Sequence, residues 1–113
     1  MLSIKNIDKI IGVDGCLVQV KSIHAPNVLH PHPQKTYDIV FEHKDRTGRE
    51  FFLTIDREGE YRNMRGETDY PISFWELTGP HNQSMDVTIW EKNLLSPDLF
   101  LDFIDNLIHH YTT

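Results

Sequence analysis

The stretch that decides the fold runs from Thr36 to Arg57, TYDIVFEHKDRTGREFFLTIDR. Tyr37, Ile39, Phe41 and His43 alternate with Thr36, Asp38, Val40 and Glu42, and Phe51, Leu53 and Ile55 alternate again. Side chains along a strand point to opposite faces in turn, so a period of two in both runs predicts two half-buried strands. Between them, Arg46-Thr47-Gly48 reads as a three-residue loop with Gly48 in the left-handed position of a bulged turn, which sets Asp45 opposite Arg49. That register places Phe41 against Leu53 and Ile39 against Ile55. A loop one residue longer or shorter would set apolar against polar side chains along the whole ladder.

Downstream of this hairpin, Glu58-Gly59 turns the chain into a short strand around Glu60 to Met64, and Pro71 marks the entry to a strand over Ile72 to Leu77. Thr78-Gly79-Pro80-His81-Asn82 is a loop by its breaker content, and Met85 to Trp90 resumes the alternation. Upstream, Asp14-Gly15 suits a tight hairpin turn between Ile10–Val13 and Cys16–Val20, while Ile4, Ile7 and Ile11 equally fit a short helix ending at Gly12. Both readings stay open for residues 3–9. The C-terminus differs in kind. Ser96 is placed to cap a helix, Pro97 suits its first position and Asp98 its positive end. Leu99, Phe100, Phe103, Ile104, Leu107, Ile108 and Tyr111 then form one apolar stripe, with Asp98, Asp102, Asp105 and His109 opposite. The expectation is an α+β fold: a mostly antiparallel meander of about six to seven strands, packed on one face by a C-terminal helix over Pro97 to Tyr111.

A chain of 113 residues without repeats or Gly/Ser linkers suits a single domain, 1–113. The formal net charge of −6 argues against a nucleic-acid partner, whose phosphates call for Lys and Arg. No apolar run approaches the roughly 20 residues of a membrane span, and the first residues lack the apolar core of a signal peptide. With Cys16 as the single cysteine, a cytoplasmic location is the simplest expectation. The charge is uneven. Up to Arg57 there are eight Lys/Arg against seven Asp/Glu, and from Glu58 onward three against ten.

That imbalance points to a small acidic interaction module of the inhibitor, immunity or adaptor type, binding a basic partner through its second half. Glu58, Glu60, Glu67 and Asp69 form its candidate acidic rim, with Trp75 and Trp90 as candidate anchors. Phe74 and Ile89 point away from their neighbouring tryptophans. One sheet face therefore lies under the helix while the other carries large apolar groups, which belong either to a two-sided core or to an interface, a homodimer through that second face being a further option. In size and acidity alone the chain is similar to immunity proteins that neutralise basic nuclease toxins.

The alternative reading is a metal-dependent enzyme or small-ligand binder. In His30-Pro31-His32 the two imidazoles point the same way on an extended chain and would approach one divalent transition metal such as zinc, with His24, His43 or His81 as a third ligand. The pair resembles the first metal motif of the cupins, two histidines one residue apart. It departs from that motif in its carboxylate, since Glu42 lies ten residues beyond His32, and Gly79-Pro80-His81 does not complete a second motif. Cofactor-free binding is therefore the leading expectation. No phosphate loop, nucleophile elbow or Cys-x-x-Cys is present, so an enzymatic role is the lesser expectation.

Overall fold

The computed structural model describes residues 4–26, 36–56, 61–62, 64, 66, 68–77, 84–90 and 96–112. In chain order they form a 3-10 helix Ile4–Ile10, strands β1 Val18–His24, β2 Thr36–His43, β3 Glu50–Asp56, β4 Tyr61–Arg62, β5 Thr68–Glu76 and β6 Met85–Trp90, and the helix α1 Pro97–Thr112. All strand pairs are antiparallel, and the sheet runs β1-β2-β3-β5-β6. The short β4 pairs with Thr68 and Asp69 of β5, and Asp69 faces Trp90 of β6 on its other side. β4 therefore continues the line of β3 along one edge of β5.

The α+β class and the helix on one sheet face are as the periodicities predict, but among the described residues the sheet holds five strands of six residues or more and the two-residue β4, where six to seven strands were expected. The reason lies in three local events. Residues 4–10 take the helical alternative, kinked at Asn6, but Ile11 lies beyond its end and is 56% exposed while Ile10 is buried; Gly12, at φ +75°, turns the chain onward, and no hairpin forms at Asp14-Gly15. Of the described residues in the Glu60–Met64 segment, Tyr61 and Arg62 form β4. β5 starts upstream of Pro71, at Thr68. The Leu77 N–H bonds to the Glu50 carbonyl at 2.8 Å, so by alternation the backbone of Pro71 also aims at the β3 side. There Pro71 falls between the end of the β3 ladder and the start of β4, where its missing N–H removes no ladder bond.

The hairpin itself is shifted by two residues from the expected register. Phe41 faces Phe51, Ile39 faces Leu53 and Tyr37 faces Ile55. The connection is longer than three residues because it is built from two successive turns, Arg46 N–H to the His43 carbonyl and Arg49 N–H to the Arg46 carbonyl, each 3.1 Å, with Gly48 at φ +81°. A shift of two preserves the parity of the strands, so every side chain keeps its expected face.

Ile39, Phe41, Phe51, Leu53, Ile55, Phe74 and Ile89 are fully buried on one face of the sheet. Against them pack Ile7 and Ile10 of the 3-10 helix and Phe100, Leu101, Ile104, Leu107 and Ile108 of α1. Ser96 caps α1, its Oγ accepting the Leu99 N–H at 3.3 Å. The buried stripe is rotated slightly from the expected one: Leu101 is buried while Leu99 is 47% exposed. No helix among the described residues is long and apolar enough to cross a membrane.

Candidate binding face

Cross-strand pairing sorts every described strand residue onto one of two faces. The face away from α1 carries a row Val40–Phe52–Trp75 across β2, β3 and β5. All three side chains are partly exposed. The Phe52 and Trp75 rings lie 4.5 Å apart between centroids, tilted by 36°, so they pack against each other as one aromatic pair, the platform of this face. The neighbouring row reads Asp38–Thr54–Ser73–Asp86 across β2, β3, β5 and β6. Below it an open groove of about 420 Å³ is lined by Thr36, Asp56, Pro71 and Thr88 together with Thr54, Ser73 and Asp86. On the other side of the platform, Glu42 and Glu50 face each other, and Lys21 bridges them at 3.8 and 2.5 Å. The hydrogen bond from Lys21 to Glu50 holds its ammonium above the usual lysine range.

Of the anchors anticipated in the sequence, Trp75 and Trp90 both lie on this face, Trp90 at 46% exposure. Asp69 faces Trp90 on the same side but is only 5% exposed, so it is not part of an open rim. Glu58, Glu60 and Glu67, and the histidines His30, His32 and His81, lie outside the described residues. Among the described residues no group of three or more His, Cys, Asp or Glu side chains is placed to hold a metal ion. The carboxylates that do flank the platform, Asp38, Glu42, Glu50, Asp56 and Asp86, come mostly from the first half of the chain. Their residue types are ordinary, and only strand parity marks them in the sequence.

The core face holds two further polar constellations. His43, inward-facing at the end of β2 and 4% exposed, lies 2.6 Å from Asp105 Oδ1 through Nε2, while its Nδ1 accepts the Asp45 N–H at 3.1 Å. An accepting Nδ1 puts the ring proton on Nε2, where it is donated to Asp105. Both ring nitrogens are thus committed, and the pair ties α1 to the β2–β3 turn. His43 is accordingly not offered as a metal ligand, and Asp105, expected on the polar side of α1, turns to the sheet. Nearby, Glu76 has no exposed side-chain surface and receives two hydrogen bonds from Arg49, 2.8 Å from Nε and 2.5 Å from Nη2. The hydrogen bond with Glu76 raises the Arg49 guanidinium further above its already high ordinary value. Neither constellation was anticipated. The available signal was a charged residue at an inward position of an apolar alternation, His43 after Ile39 and Phe41, and Glu76 after Ile72 and Phe74.

Cys16 is buried, and burial, reinforced by the Asp102, Asp98 and Asp105 carboxylates, raises its thiol pKa above the ordinary 9.0, Lys44 opposing. The protonated thiol is a poor nucleophile. Iodoacetamide at pH 8 should therefore alkylate the native protein at least roughly ten-fold more slowly than the urea-unfolded chain. Because the folded-state pKa is raised, the unfolded thiol ionises first. Its contribution to stability is complete below about pH 9.0 and is lost as pH rises through the folded-state value. Equal alkylation rates in the two states would show that the thiol is accessible.

These observations define a class by geometry: among the described residues, an antiparallel meander of five longer strands and the short β4, with one helical layer and a partly exposed aromatic face bordered by carboxylates. No protein-family model matches the chain, and no curated protein or solved structure matches it.

Proposed function

We propose that this chain is a small acidic protein-binding module, of the inhibitor, immunity or adaptor kind, which docks a basic partner on the sheet face away from α1. One observation carries this reading. The helical layer covers a single face of the sheet, and the opposite face sets the Phe52–Trp75 platform among Asp38, Glu42, Glu50, Asp56 and Asp86, with Lys21 the cation described on that face. Large aromatic groups give a binding surface its energy, and single-sign charge around them steers an oppositely charged partner. A second copy of the chain would bring like-charged carboxylates together, so a basic heterologous partner fits better than a homodimer. A buried free thiol suits a reducing compartment, in keeping with a cytoplasmic role.

The test is capture from native extract on the immobilised wild-type chain and on a Trp75→Ser, Asp86→Lys variant. A basic protein should be retained by the wild type at about 50 mM salt, released by about 500 mM, and bind the variant at least ten-fold more weakly. Equal retention by both chains would remove this face from the interaction.

A further inference from the structure

The platform and the acidic row stand side by side in a way that selects among cations. Trp75 and Ser73, like Phe52 and Thr54, are two residues apart on one strand, so the aromatic row and the Asp38–Thr54–Ser73–Asp86 row are separated by about 7 Å. We propose that the occupant of this face is an extended segment of the partner that lays an arginine guanidinium on an outer face of the Phe52–Trp75 pair, with its hydrogen bonds directed into the acidic row. This rests on the binding-module reading above and names the chemistry of its partner.

Shape and charge both favour arginine at this face. A guanidinium is planar, weakly hydrated, stacks on an aromatic face and still donates in its own plane to carboxylates. A lysine ammonium is a compact, strongly hydrated point charge that gains less from a ring and cannot form a two-pronged bond. Here the rings are partly exposed, the hydroxyl of Ser73 lies 3.4 Å from Asp86 Oδ1, and the Thr54 and Ser73 hydroxyls line the floor between the two acids. Asp38 on β2 and Asp86 on β6 are three inter-strand steps apart, about 14 Å. An extended segment crossing the strands spans about 13 Å between residues i and i+4, and such residues point to the same side. Two arginines four residues apart in an extended segment therefore meet both ends of the row. A nucleic acid is refused by the same carboxylates.

The test uses two capped nine-residue peptides in a Gly/Ser background, one with arginine at the third and seventh positions and one with lysine at both. Each is titrated into the ¹⁵N-labelled full chain, with the indole N–H of Trp75 assigned by Trp75→Phe. The arginine peptide should shift that resonance and bind about ten-fold more tightly than the lysine peptide, the difference expected of a stacked guanidinium. Asp38→Asn with Asp86→Asn should abolish the preference while leaving the rest of the spectrum unchanged. Equal affinities would overturn the guanidinium assignment and leave the basic-partner reading standing. A Trp75 resonance that neither peptide shifts, or a preference that survives the double variant, also overturns it, and the capture experiment judges the broader reading separately.

Discussion

Replacing Arg49, whose side chain is 38% exposed, with alanine should destabilise the fold by about 2–3 kcal/mol, the cost of stranding a buried charged acceptor discounted for water at the guanidinium, out of the 5–15 kcal/mol that holds a domain of this size. Glu76 has no exposed side-chain surface, and its two oxygens are each met by one nitrogen of Arg49. Without the guanidinium, a carboxylate stays behind in the core with its principal counter-charge gone, while the Phe51 ring loses the cation 5.8 Å from its centroid. The loss belongs to the stranded charge and not to the pair as such, because taking the Glu76 carboxylate out of water costs much of what its attraction to Arg49 returns. Arg49→Met combined with Glu76→Leu should therefore recover most of the stability, and urea denaturation of the single and double variants separates the two contributions. An Arg49→Ala cost below about 1 kcal/mol would mean that water reaches Glu76.

The second large effect is at Phe74. Its ring is stacked on Phe51 at 6.0 Å and meets Tyr111 of α1 edge-on at 5.7 Å, so it fastens the centre of the sheet to the end of the helix. Phe74→Ala should cost about 3–5 kcal/mol, the lost transfer energy plus a cavity that flanking strands cannot close. Trp75, one residue on, faces the other way and is partly exposed. Trp75→Ala should cost roughly 1 kcal/mol and act on binding instead. Thermal or urea unfolding of the two variants checks the contrast. A Trp75 cost matching that of Phe74 would mean that both faces are core.

The same neighbouring pair shows how far local pattern reaches. That Phe74 and Trp75 must part company follows from the geometry of an extended chain, and so does the inward set Ile39, Phe41, Phe51, Leu53 and Ile55. The start of α1 is equally local, since Ser96, Pro97 and Asp98 act within one turn. The register of the β2–β3 hairpin was legible only modulo two. Two chained turns satisfy the parity rule as well as one short loop does, and the choice involves the backbone of Asp45 bonding to the His43 ring. His43 to Asp105 spans 62 residues and Arg49 to Glu76 spans 27, distances at which no periodicity speaks.

What the sequence by itself determined is the set of faces: which side chains alternate inward, where the terminal helix begins, and that the chain is acidic. The tertiary structure decided what those faces meet. The count of charges along the chain assigned the acidity to residues after Glu58, yet the open face gathers Asp38, Glu42, Glu50 and Asp56 from the first half beside Asp86 from the second. The physical reason is that a sheet sorts side chains by parity and cross-strand register, not by position along the chain. One helical layer then covers one sorted set and leaves the other, with Phe52 and Trp75 at its centre, facing outward.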